Sequence, residues 1–164
     1  MDAKLISSIL KTDPNTKKWF QGFLTPDLDL PSASHDKKKK PSSTELFILN
    51  TDSYKGPGIH WCTAIFPSGK NYCEFFDPLG KHPAEYKFEK PLFKKCDVIR
   101  FQEFPVQASE SSTCGHHCLF FAFHRSRGLS MKSVIKKYSS RNLIKNDKMV
   151  QHFVNKNFKR MCRE

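Results

Sequence analysis

The chain has no long hydrophobic run. Its longest wholly apolar stretch, around Leu119–Phe123, is far too short to cross a bilayer. An apolar signal core and a cleavage pattern are missing from the opening "MDAKLISSILKTD". These two absences predict a soluble, intracellular protein that is not secreted and makes no membrane contact. Internal repeats are also missing, and the 164 residues suit one domain, 1–164, with a real core. No zinc-finger or RNP signature is present, so sequence-specific nucleic-acid readout is not expected. Cys114, His116, His117 and Cys118 crowd together, but a second ligand pair at zinc-finger spacing is missing. No metal is therefore expected. Acidic residues are scarce in the last quarter: from Arg125 onward only Asp147 and Glu164 stand against 12 Lys/Arg.

What is present is aromatic and basic. Phe occurs 15 times, hydrophobic residues reach 38% and the net charge is +12. A second basic block, Lys37–Lys40, lies in the loop-like "SASHDKKKKPSS". Such a bias suits non-specific, salt-sensitive contact with a polyanion such as DNA. The six cysteines, at 62, 73, 96, 114, 118 and 162, are expected as free thiols, because a chain of this size does not need disulfides.

Periodicity predicts a short helix over 2–11, with Leu5, Ile6, Ile9 and Leu10 on one side. A Pro/Asp-rich connection then leads to strands at 45–51, 59–66, 72–76 and 96–101. The turn "PSGKN" makes the middle two a hairpin. From Gly115 the pattern becomes helical and apolar on nearly every face, ending at Gly128, which marks a helix buried in the domain. Ser130 is placed to cap a helix from Met131. Asn146 or Asp147 is placed to cap a last helix whose Met149, Val150, Phe153, Val154 and Phe158 form one stripe. The expected class is α+β: a central mixed sheet flanked by helices, with basic outer helices over 130–164.

The stretch "QASESSTCGHHCLFF" (107–121) sets a thiol where a polar loop meets the buried helix. At a helix N-terminus the dipole and unpaired N–H groups favour thiolate, so Cys114 is a candidate nucleophile. A thiolate needs a proton carrier and a group that orients it. His60 begins the second strand of the set, and Asp77 follows the third in "FFDPLG". Both lie at the open end of one hairpin, which makes them neighbours. Glu74, on the other face from Phe75, is the weaker orienter. Gln107 and the Cys114 N–H are the candidate oxyanion donors.

In that order the segments "GIHWCTAIF…YCEFFDPLG…PVQASESSTCGHHC" resemble the adenovirus-type cysteine proteases, the adenains. The family pattern is Gly-x-His-Trp, then Phe-Asp/Glu-Pro-x-Gly, then Gln with six residues before Cys-Gly. "SSTELFILNTDSYKGPGIHW", "DKMVQHFVNKNF" and, weakly, "KKWFQGFLTPDL" extend the resemblance over about residues 1–160. It implies a papain-like core with permuted order, histidine before cysteine, and a buried helix starting at the nucleophile. It implies Cys114 as nucleophile, His60 as general base and acid, Asp77 as orienting carboxylate and Gln107 as oxyanion donor. The implied activity is endoproteolysis of viral capsid and core precursors during virion maturation, by a monomer in the host nucleus and the virion. DNA is the implied cofactor, with an activating peptide from a capsid precursor held by a disulfide to Cys96. The loop "ASESST" and the shorter chain depart from the family and point to a divergent member, from an adeno-like virus or a mobile element.

Two other readings stand beside this one. A SUMO- or ubiquitin-like protein deconjugase shares the His-Trp, Asp and Gln…Cys-Gly order, but usually has Asp where Thr113 stands and a spacing one residue shorter. A non-enzymatic basic packaging protein explains the charge but not the Cys/His/Asp/Gln set.

Overall fold

In the computed structural model, residues 1–27, 40–53, 59–159 and 161 are described. Lys37–Lys39, Gly56, Gly58 and Cys162 lie outside them.

Strand β2 (Glu45–Asn50), β3 (Trp61–Phe66) and β4 (Tyr72–Phe76) form an antiparallel meander. At either side a parallel strand completes a five-stranded mixed sheet in the order β1-β2-β3-β4-β5: β1 (Phe20–Leu24) beside β2 and β5 (Val98–Phe101) beside β4. The expected strands are all present, 72–76 with its expected bounds and the other three trimmed by one or two residues at an end. Strand β1 was not foreseen. It is short, and a bulge at Gly22 (φ +137°) breaks any alternation, so only its pairing with β2 defines it.

The sheet is buried on both faces, which is why its central strands read as unbroken apolar runs. Leu46, Ile48, Trp61, Ile65 and Phe76 face one core, filled by α1 (Ala3–Thr12), α4 (Cys114–Arg125) and α6 (Leu143–Asn157). The alternate residues Phe47, Leu49, Cys62, Ala64, Phe66, Cys73 and Phe75 face a smaller core, closed by Phe88, Leu92 and Cys96 around the short helix α3 (Glu89–Phe93). Helix α4 is the buried helix that its composition predicts. Phe121 stacks flat on Phe76 at 4.3 Å, fixing the helix against the end of β4. The remaining helices are short: α2 (Thr16–Trp19) before β1 and α5 (Met131–Ile135) between α4 and α6.

The cap of the last helix departs from expectation. Helix α6 begins at Leu143, and its cap is Asn142, whose side chain accepts from the Lys145 N–H at 2.9 Å. Asn146 and Asp147 lie inside the helix, buried, with their side chains engaged elsewhere. Ser130 does cap α5, accepting from the Ser133 N–H at 3.1 Å.

Candidate active site

His60 immediately precedes β3, and its carbonyl accepts from the Thr51 N–H at 3.0 Å, which extends the β2–β3 ladder by one step. Asp77 immediately follows β4. The hairpin brings them together as its geometry predicts: His60 Nε2 lies 2.6 Å from Asp77 Oδ1. Cys114, the first residue of α4, sits close enough to His60 for the two to shift each other's proton affinity. A second tie holds α4 against β3, because the Cys118 thiol donates to the Trp61 carbonyl at 3.3 Å.

All of these groups are buried: Asp77 is 1% exposed, His60 7% and Cys114 8%. Burial by itself would lower the His60 pKa and raise that of Cys114. The hydrogen bonds and charges override it. Asp77 and Cys114 raise His60 to about 9, and His60, with the backbone N–H groups of Trp61 and Gly115, holds the thiol below its ordinary value. Asp77 is likewise held below the usual carboxylate range against burial, by His60 and the N–H groups of Leu79 and Lys81. The arrangement places His60, favoured in its charged form, between the Asp77 carboxylate and a thiol whose ionisation is favoured.

Asp77 is fixed by more than histidine. The Leu79 N–H donates to Oδ1 at 2.9 Å, and the Lys81 N–H (2.8 Å) and Tyr86 hydroxyl (3.1 Å) donate to Oδ2. Gln102 donates its side-chain amide to the Asp77 carbonyl. Sequence reasoning missed Tyr86 and Gln102. Tyr86 ends a 3-10 turn (Pro83–Tyr86) that His82 and Glu85 cap reciprocally. The usual signal of such a cap is Ser or Thr, which histidine does not give. Glu74 is not an orienter: it forms a two-pronged ion pair with Arg125 at 2.6 and 3.0 Å.

Gln107 is 2% exposed and lies on the loop leading to Cys114. One of its amide hydrogens goes to the Ser111 carbonyl at 2.6 Å, and its Oε1 has no hydrogen-bond partner. The other amide hydrogen has no partner among the described residues. Thr113, at the cap position of α4, makes no side-chain cap bond, so the first N–H groups of the helix keep their donors for the thiol and its surroundings.

The crowded Cys114/His116/His117/Cys118 group does not converge, because successive residues of a helix point in different directions. His117 bonds Asp147 at 2.9 Å, Cys118 bonds Trp61, and Cys114 interacts electrostatically with His60. Among the described residues, one trio of metal-ligand types does converge: His60, Cys62 and Asp77, with ligand atoms within 4.8 Å of one another. Both carboxylate oxygens already accept two hydrogen bonds each, and burial and the Asp77 charge hold the Cys62 thiol well above its ordinary value. The trio is the His60–Asp77 pair with a neighbouring protonated thiol. A metal does not suit it.

Cys96 is 5% exposed. Its thiol donates to the Leu92 carbonyl at 3.3 Å, and Cys73 beside it holds its pKa below the ordinary thiol value. A cleft of about 990 Å³ between β5 and α5 contains none of His60, Asp77, Gln107 and Cys114 in its wall.

This sheet, with the histidine and carboxylate at the ends of two strands and a buried helix opening on cysteine, has the papain-like cysteine protease fold. Two solved structures of ASFV pS273R protease match it with TM-scores of 0.56 and 0.53 and identities of 17% and 16%, each over 93% of this chain and 66% of that one. The chain thus spans just under two thirds of that protease's length, and at such identities the likeness is one of fold. A structure of SUMO protease Ulp1 aligns at a TM-score of 0.44 and 15% identity, over 92% of this chain and 75% of that one. No family model matches the chain, and no curated protein matches it.

Proposed function

We propose that the chain is a cysteine endopeptidase of the adenain type that processes viral precursor proteins. The observation that carries this reading is the buried Asp77–His60–Cys114 line at the N-terminus of α4. The fold likeness to a viral protease supports the viral setting.

In the proposed cycle the Cys114 thiolate attacks the scissile carbonyl carbon. The S–C bond forms as the C=O π pair moves onto oxygen, and that oxyanion takes hydrogen bonds from Gln107 and the Cys114 N–H. As the tetrahedral intermediate collapses, the C–N bond breaks and His60 gives its proton to the leaving amine, producing a thioester. His60, now neutral, takes a proton from water as it attacks the thioester, and the thiolate leaves. Asp77 keeps the imidazole oriented throughout and stabilises its charged form.

Two implied cofactors belong to the proposal. DNA would lie on the basic surface of α5, α6 and the segment between them, where Lys132, Lys136, Arg141, Lys145, Lys148 and Lys156 are exposed. A precursor peptide would form its disulfide with Cys96 only after the segment around Cys96 opens, given the burial of that thiol.

The test is cleavage of a panel of capsid-precursor proteins and Gly-Gly-ended ubiquitin-like fusions by wild type, Cys114→Ala and His60→Ala, with and without DNA. Cleavage of precursors that both substitutions abolish is the expected result. Cleavage restricted to the fusions would replace the reading with a deconjugase. Cleavage unaffected by Cys114→Ala would sink it.

A further inference from the structure

The loop from Gln107 to Cys114 is held from outside, by one turn of α6. Asp147 is 7% exposed and carries three hydrogen bonds. Its Oδ1 accepts from the Thr113 hydroxyl at 2.8 Å and from His117 Nε2 at 2.9 Å, and its Oδ2 accepts from the Ala108 N–H at 3.3 Å. Each partner adjoins a group of the site: Ala108 follows Gln107, Thr113 precedes Cys114, and His117 lies one turn along α4. The preceding residue, Asn146, fastens the start of the same loop, donating to the Val106 carbonyl at 2.9 Å.

Burying a carboxylate is expensive unless something uses its charge or its bonds. No full cation answers Asp147 within this group: burial lowers the His117 pKa, more than the carboxylate beside it raises it, so the imidazole is neutral. What the carboxylate does is gather three donors from both ends of one loop. It also draws the Thr113 hydroxyl away from the cap of α4. A threonine at a helix cap normally accepts from an N–H of the first turn; here it makes no such bond. The N–H groups at the start of α4 are thus not taken up by the threonine side chain.

Resting on the peptidase reading above, we propose that Asp147 is a positioning residue for the oxyanion site: by fastening Ala108, Thr113 and His117 it sets Gln107 and the open N-terminus of α4 in the geometry that receives the developing charge. Asp147 touches no reacting atom in this scheme.

The experiment uses the full chain, comparing wild type with Asp147→Ala, Asp147→Asn and Thr113→Val. Three readouts are taken: kcat and KM on a fluorogenic peptide ending in Gly-Gly-aminomethylcoumarin, affinity for the matching peptide aldehyde, and the rate of Cys114 alkylation by iodoacetamide. The aldehyde forms a hemithioacetal whose oxygen needs the oxyanion donors; alkylation does not. Asp147→Ala is expected to lower kcat by roughly 10²-fold, near the loss of one oxyanion donor. KM and the alkylation rate should hardly move, and aldehyde affinity should fall with kcat. Asp147→Asn keeps an acceptor for Thr113 and should recover part of the rate. Thr113→Val, a near-isosteric change, should reproduce the kcat defect even if Asp147→Ala folds poorly by thermal unfolding. Full kcat in both Asp147→Ala and Thr113→Val would overturn the assignment while leaving the peptidase intact. So would a loss of kcat that alkylation and the folded fraction follow in parallel. A wild type that neither cuts the peptide nor binds the aldehyde would sink the peptidase reading, and the assignment with it.

Discussion

His60 and Cys114 are each pushed one way by burial and the other by their partners, and the partners prevail. The sign of the pH dependence follows. Activity should rise as the Cys114 proton is lost, below the ordinary thiol range. It should fall again as His60 loses its proton near pH 9, because the leaving amine then lacks an acid. The two steps belong to the coupled pair. Removing the Asp77 charge removes the leading influence that raises His60, so Asp77→Asn should move the alkaline limb to lower pH. The pH profile of kcat reads this directly, and an unmoved limb would rule Asp77 out as the source. Stability follows the same linkage: the His60 contribution is fully present below pH 6.5 and is lost as pH rises through about 9. Gln107→Ala should lower kcat by about 10²–10³. A loss under about tenfold would remove Gln107 from the oxyanion site.

The turn Asp77–Gly80 decides how two elements meet. Gly80 has φ +70°, and a Cβ there would lie 2.3 Å from the Phe104 backbone carbon. The Pro78 carbonyl of the same turn accepts from the N–H groups of Val106 and Gln107 at 2.8 and 3.0 Å. One tight turn therefore fixes both the Asp77 carboxylate and the start of the loop from Gln107 to Cys114. Gly80→Ala should destabilise by more than about 1 kcal/mol in urea unfolding, since both strain and a backbone clash oppose it. The "DPLG" motif was legible in the chain, whereas the segment it docks onto was not, because more than twenty residues separate the two. The Glu74–Arg125 ion pair joins β4 to the far end of α4, mostly buried on both sides. Arg125→Met should cost about 3–5 kcal/mol, whereas adding Glu74→Met should restore much of it. A single variant as stable as wild type would show that water already screens the pair.

At the scale of the whole molecule, the sheet separates two cores, and the basic helices α5 and α6 wall the larger one with Val134, Val150 and Val154. The net charge of +12 gives the DNA proposal a measurable form. Binding to any duplex should weaken linearly in log–log against salt, by about 10³-fold or more between 50 and 200 mM if six or more phosphates are met. Fluorescence anisotropy checks it, and affinity indifferent to salt would leave the basic face as a solvated surface.

The sequence by itself determined the α+β class, four of the five strands, the buried helix and the pairing of His60 with Asp77. Each rests on local periodicity or on the symmetry of one hairpin, which a chain carries in its order of residues. The tertiary structure alone decided β1, the roles of Tyr86 and Gln102, the burial of Cys96 beside Cys73, and the conversion of Asp147 from an expected helix cap into the anchor of the loop before Cys114. These depend on contacts between segments far apart in sequence, where a side chain takes whichever partner packing brings within reach, and no local pattern records that choice.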